Sequence, residues 1–167
     1  MITYLNHYAS PLGQVTLASD GQSLIGLWFD GQAHFGSTIT KGAVEQDLLV
    51  FAQTCKWLDL YFAGEAPDFT PPLRFLGTPF QKEVWNLLLT IPYGQTTTYG
   101  ALALALARKQ GRMSQSAQAV GGAVARNPIS LIVPCHRVVG ANGSLTGYAG
   151  GLEKKKWLLA LEQPKES

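Results

Sequence analysis

The chain has little of what staples or charges a small protein. Its 167 residues include two cysteines, Cys55 and Cys135, and three scattered histidines, His7, His34 and His136. No CxxC pair and no metal-ligand spacing joins them, which excludes a disulfide framework and a ligand-spaced zinc site. Charged residues make up only 14%, too few for a disordered tail, whereas hydrophobic residues at 46% suffice for a buried core. Long apolar runs are missing as well: ALALALA at 101–107 falls far short of the ~20 residues that a membrane span needs. The opening MITYLNHYAS lacks a basic stretch followed by an apolar segment. These absences predict a reduced, cytoplasmic protein without a membrane part, folded as one domain or two small ones. No internal repeat or low-complexity stretch is present.

What is there begins with an asymmetry hidden in the net charge of +2. Residues 1–72 carry two basic side chains against seven acidic ones, a net of −5, and residues 73–167 carry eleven against four, a net of +7. Such a division fits a nucleic-acid-binding half joined to an acidic one, and a solubilising surface accounts for it equally well. Two domains, 1–72 and 73–167, are therefore expected.

The first third reads as β structure. ITYLNHYA, QVTLAS and SLIGLWF are short β-branched and aromatic runs separated by SPLG and DG turn signals, which predicts an antiparallel meander. From Ala43 to Phe62 apolar residues recur at three- and four-residue steps, through Val44, Leu48, Phe51, Ala52, Cys55, Leu58 and Phe62, and predict one long helix with Cys55 as a core thiol. GEAPDFTPPLRFLG has no period and reads as a linker. Thr78-Pro79 supplies a cap and a first-turn proline for a helix with Phe80, Val84, Trp85, Leu88 and Leu89 inward. A second helix starts at Thr98-Tyr99, and AQAVGGAVA forms a third, ending at Asn127-Pro128. Helix, turn and short helix make a DNA-binding silhouette, although helical hairpins are also common packing units. SLIV predicts a buried strand, and GLEKKKWLLALE a closing helix with Leu152, Trp157, Leu158 and Leu161 inward.

Chemistry concentrates in ARNPISLIVPCHRVVGANGSLTGYAGG, residues 125–151. A thiol needs to become thiolate to act as a nucleophile, and the adjoining His136 and Arg137 are candidates for lowering the pKa of Cys135. On an extended strand His136 would face away from the thiol, so it serves Cys135 only if the chain turns or a water intervenes. Glu162 is the candidate carboxylate for orienting the imidazole. The competing reading of Cys135 is a small buried hydrophobe, and a PCH triplet alone does not decide between the two.

The run PCHRVVG, preceded by AVGGAVARNPISLIV and followed by TGYAGG and KKKWLLALE, closely resembles the methylated-DNA–protein-cysteine methyltransferases, the O6-alkylguanine-DNA alkyltransferases. GTPFQKEVWNLLLTIPYGQTTTYGALA is similar to the opening of the same domain, so the resemblance is continuous from 76 to 162; over 1–70 it is looser and rests on element order and the YFAGE segment. It implies an α/β (α+β) protein, with a ribonuclease-H-like antiparallel sheet plus helix followed by a winged-helix, helix-turn-helix DNA-binding domain. It implies a single-turnover DNA repair methyltransferase, without cofactor or metal, that moves an alkyl group from O6-alkylguanine, and more slowly O4-alkylthymine, to Cys135. His136 would act through a water as base, oriented by Glu162, with Asn127 as hinge and Tyr99 pressing on the target phosphate and facing the base. Carbonyls of Cys135 and Val138 would read the guanine amine, Tyr148, Ala149 and Gly150 would line the alkyl pocket, and Arg137 would brace the site. Thr98, Tyr99, Gln118, Ala119, Gly121, Gly122, Ala125 and Arg126 would meet double-stranded DNA in the minor groove with the damaged base flipped out. The protein would be monomeric, with assembly along DNA open.

The small residues of 117–125 suit close approach to a DNA backbone, while Gly121 and Gly122 could equally serve tight helix packing. Two features depart from the family pattern. Gln118 stands where an arginine finger is usual, which predicts weaker duplex binding. The loop 108–116 is longer than usual, and its Arg108, Lys109 and Arg112 either add phosphate contacts or are simply exposed. A non-catalytic lesion sensor is the alternative function, but such relatives replace the acceptor cysteine, which is present here. A cysteine hydrolase is disfavoured because no oxyanion-hole turn is evident, and transcriptional regulation because the cysteines of a second metal-binding domain are missing.

Overall fold

The computed structural model describes residues 1–164 as a mixed α/β chain in two compact units, Met1–Leu76 with Pro128–Ser130, and Gly77–Asn127 with the chain from Leu131 onward. In the first unit β1 (Tyr4–Ser10), β2 (Gly13–Ser19) and β3 (Leu24–Phe29) form the antiparallel meander that the turn signals predict. All six residues of β3 are buried, and the Trp28 ring lies over Gly26, where any Cβ would come within 2.0 Å of it. Here glycine is required by packing rather than by backbone conformation.

The long helix starts later than the periodicity suggests. Val44 and Glu45 form β4 (Val44–Glu45), parallel to β1, and helix α1 begins only at Leu49 and ends at Phe62. The edge of β1 claims this stretch: Val44 donates to the Thr3 carbonyl, Gln46 to the Leu5 carbonyl, and Glu45 meets the His7 ring at 2.8 Å. An open strand edge offers backbone partners that a weakly capped helix end cannot match. The face of α1 that is buried runs through Val50, Phe51, Thr54, Trp57, Leu58 and Tyr61, which leaves Cys55 half-buried at its margin and Ala52 exposed. The segment read as a linker is also paired: Leu24 donates to the Pro72 carbonyl and Arg74 to the Leu24 carbonyl.

In the second unit α2 (Pro79–Leu88) opens with a reciprocal capping box, Gln81 N–H to Thr78 Oγ1 at 3.1 Å and Thr78 N–H to Gln81 Oε1 at 3.0 Å, with Pro79 in the first turn. Then come β5 (Thr97–Thr98), α3 (Tyr99–Lys109) and α4 (Ala117–Ala125), the two helices capped by the hydroxyls of Thr98 and Ser116. Trp85 ties α2 to α4 by donating its indole N–H to the Ala123 carbonyl at 2.9 Å. β6 (Val138–Val139) pairs in parallel with β5.

Three expectations fail here. Leu89, expected on the inward face of α2, lies just past its last residue and is 39% exposed. SLIV is buried but is no strand: Leu131 sits at φ 71, in the left-handed region that ends an extended run, and Val133 closes a turn with Cys135. The closing helix α5 (Leu152–Leu161) turns Lys155 and Leu158 inward, whereas Leu152 is 48% and Trp157 37% exposed. Among the described residues no helix is long and apolar enough to cross a membrane.

Candidate active site

Cys135 begins a single 3-10 turn, Cys135–Arg137, placed between the buried 131–134 segment and β6. The chain turns instead of extending, so the strand alternation that would send His136 to the opposite face from Cys135 does not apply, and both residues are buried. The imidazole Nε2 meets Glu162 Oε2 at 2.5 Å. Arg137 grips the same carboxylate, Nε to Oε1 at 2.8 Å and Nη2 to Oε2 at 3.3 Å, and its Nη1 donates to the Ile91 carbonyl at 2.7 Å. The Gly94 N–H adds a further bond to Glu162 Oε1 at 3.0 Å, with Gly94 at φ 79, a conformation natural to glycine. Glu162, just past the last residue of α5, therefore gathers the 135–137 turn and the 91–94 segment around one charge. The Tyr93 ring lies 5.6 Å beneath the Arg137 guanidinium.

Asn127, at the end of α4, donates to the Val133 carbonyl at 2.8 Å and hydrogen-bonds the thiol. Burial pushes the Cys135 thiol up; Asn127, Lys155 and the backbone N–H groups of Cys135 and His136 oppose it without overcoming it. The expectation that His136 and Arg137 supply the cationic help is corrected on both counts. Burial pushes the His136 pKa down against the pull of Glu162, and the Arg137 guanidinium is spent on Glu162 and Ile91. The cation that bears on the thiol is Lys155, which sequence reasoning missed because KKK reads as a solvated face. Its one signal was its position three residues before Leu158, on the inward side of α5.

The wall of the site comes from the segment after β6. Tyr148, Ala149 and Gly150 are half-buried, and the Tyr148 hydroxyl is buried with its pKa raised by burial first, then by the charges of Cys135 and Glu162. Tyr99, at the start of α3, donates its hydroxyl toward the Thr146 and Gly147 carbonyls at 3.3 and 3.5 Å. Val138 is buried; its N–H donates to the Cys135 carbonyl. On α4, Gln118, Ala119, Gly122 and Ala125 are exposed, as is Arg126 at its end, while a Cβ at Gly121 would lie in ordinary contact with the Tyr99 ring. A Cβ at Gly122 would meet nothing within 4 Å, so helix packing does not require glycine there. Thr98 is committed as the α3 cap, its Oγ1 accepting from Ala101 N–H at 3.0 Å. Among the described residues no cluster of His, Cys, Asp or Glu could hold a metal ion.

Two family models match: the 6-O-methylguanine DNA methyltransferase ribonuclease-like domain over residues 3–75, and the DNA-binding domain of the same enzymes over residues 79–164. A methylated-DNA–protein-cysteine methyltransferase of Mycobacterium leprae is 46% identical over 92% of this chain and 88% of its own length. One of Methanosarcina acetivorans is 44% identical over 95% of this chain and 97% of its own. The crystal structure of Mycobacterium tuberculosis OGT in complex with DNA superposes with a TM-score of 0.81 at 42% identity, covering 96% of this chain and 92% of that one. With the buried thiol, its locked imidazole and both family models accounted for along nearly the whole length, the chain belongs to the methylated-DNA–protein-cysteine methyltransferase family.

Proposed function

We propose that this protein repairs DNA by direct reversal, moving the alkyl group of an O6-alkylguanine irreversibly onto Cys135. The observation that carries the reading is the Cys135–Arg137 turn, where a buried thiol adjoins an imidazole held by a buried carboxylate. Glu162 engages Nε2, so the thiol proton passes through a water to Nδ1 of His136. The thiolate sulfur then attacks the alkyl carbon: the S–C bond forms, the C–O6 bond breaks, and its electron pair stays on the base. One proton leaves the thiol and one is taken up by the base, which restores guanine without a co-reactant. O4-alkylthymine presents the same kind of alkyl–oxygen bond and is a poorer substrate.

A thiol that is 5% exposed cannot reach an O6 atom inside a stacked duplex, so the nucleotide is flipped out, at a cost of a few kcal/mol that damaged pairing lowers. The bare face of α4 fits the minor groove, with Gln118 in the gap and Tyr99 against the turned phosphate. Asn127 joins that helix to the thiol. The Cys135 carbonyl accepts from the Val138 N–H and the Val138 carbonyl from Lys155, and each would offer its other lone pair to the guanine amine. Tyr148, Ala149 and Gly150 bound the alkyl pocket, and Arg137 braces Glu162. Residues 73–167 carry this work, 1–72 serve as a cap, and the protein acts as a cytoplasmic monomer.

Intact-protein mass after mixing with a short duplex holding one O6-methylguanine tests the reading. A gain of one methyl group per molecule, absent in Cys135→Ser, is expected. Lesion-selective binding with no mass change would instead make the protein a sensor.

A further inference from the structure

The exposed face of α4 suits close approach to a duplex, yet the helix itself, AQAVGGAVA, holds no ionisable side chain. Attraction of a protein to duplex DNA comes mainly from Lys and Arg neutralising phosphates, so the charge has to come from the flanks of α4. Downstream, Arg126 stands at the helix end. Upstream, Arg108, Lys109 and Arg112 fall within five residues, and all three are exposed.

The upstream cluster is held in a fixed setting. The Gly111 N–H donates to the Arg108 carbonyl at 3.2 Å and the Arg112 N–H to the Ala107 carbonyl at 2.8 Å, with Gly111 at φ 68, which is the paired closure of a helix C-terminus. The Gln110 amide donates to Glu83 Oε2 of α2 at 2.5 Å. A neutral side chain thus takes this carboxylate, and among the described residues no ion pair engages Arg108, Lys109 or Arg112. The α3 dipole accounts for cations at 108 and 109, in its last turn, but not for Arg112 beyond it. Four residues separate Arg112 from the Ser116 cap of α4, which keeps its Cα within about 14 Å of that cap.

We propose that the Arg108–Arg112 segment is a second duplex-binding element, gripping backbone phosphates just beyond the stretch that α4 covers. The inference rests on the reading of α4 as the helix that meets the duplex, and it adds contacts that are independent of base sequence. Binding of the full chain to an undamaged fluorescent duplex between 50 and 200 mM salt tests it, with phosphate-ethylation interference as the second readout. In Arg108→Gln/Lys109→Gln/Arg112→Gln the log–log salt slope is expected to flatten by about two or more, and affinity near 100 mM salt to fall by about tenfold or more. Ethylated phosphates that interfere with wild type at the edge of the footprint should no longer interfere with this variant, while those nearer its centre persist. Arg112→Gln alone should flatten the slope by about one, and Arg112→Lys, which keeps a point charge, should leave it within about 0.3 of wild type. A slope unchanged in the triple variant overturns the proposal, as does an affinity loss without a change of slope or an unaltered interference pattern. Arg112→Gln with Arg112→Lys decides alone if the triple variant does not fold. Wild type that binds the duplex in this salt-dependent way but accepts no methyl group from an O6-methylguanine duplex overturns the alkyl-transfer reading and leaves the loop test standing.

Discussion

Helix α4 and the Cys135–Arg137 turn belong to the same unit, yet one presents a nearly featureless surface and the other is buried and saturated with hydrogen bonds. On α4, Gln118, Ala119, Gly122 and Ala125 face solvent, and the space over Gly122 is open. In the turn, every polar group of Arg137 and Glu162 that is accounted for points at a fixed partner. The difference teaches that small residues on α4 answer to something outside the fold, whereas the turn residues answer to the fold and the chemistry together. Substitutions in the two places should therefore separate binding from stability.

The largest effect is expected at the turn. Glu162→Ala strips Arg137 and His136 of their common partner, and loss of one member of a buried ionic cluster costs about 3–5 kcal/mol. Denaturant unfolding should show that loss, and methyl transfer measured where the variant is folded should slow by about 100-fold or more, since the base loses its orientation. An equal transfer rate would mean that Glu162 only holds the fold.

Next comes Gly122→Leu, which inverts the pattern. Affinity for duplex DNA should fall by about tenfold or more through steric exclusion from the groove. Stability should hold or rise by up to about 0.8 kcal/mol, because leucine favours a helix over glycine and a Cβ at this position meets nothing within 4 Å. Gln118→Arg is expected to work in the opposite sense, raising duplex affinity and steepening the log–log salt dependence by about one. An unchanged salt slope would show that residue 118 does not approach a phosphate.

The smallest effect is the pH dependence of stability. Burial holds His136 below its ordinary value of 6.5, so the unfolded chain binds more protons than the native one as the pH drops below that value. Its contribution is present above the unfolded pKa and is lost as pH falls toward the folded one, by at most about 1.4 kcal/mol per pH unit. Thermal melts should give a lower Tm near pH 5.5 than near pH 7.5; a Tm that rises on acidification contradicts a neutral buried His136.

Much of the fold was legible because short-range rules govern it. Thr78, Pro79 and Gln81 announce α2 through capping chemistry that needs only four residues, and the meander follows from turn dipeptides between β-branched runs. The reading failed where a distant partner overrode a local pattern. Val44 and Glu45 carry helical spacing, but the edge of β1, some forty residues earlier, takes their backbone. SLIV carries strand composition, but a left-handed Leu131 bends it into a turn. In KKKWLLALE the tryptophan is 37% exposed and a lysine is inside, because a carbonyl of β6 and two from the segment after it await a donor there.

The sequence by itself determined the chemical kinds in play, a thiol followed by an imidazole and a guanidinium, a small-residue helix, and a basic half joined to an acidic one. Only the tertiary structure decided which charge serves which group: Glu162 goes to His136 and Arg137 together, and Lys155, rather than its neighbours in the motif, bears on Cys135. The reason is physical. Electrostatic influence depends on distance and burial, and the fold brings residues 20 or more positions away closer to the site's polar atoms than adjacency in the chain does.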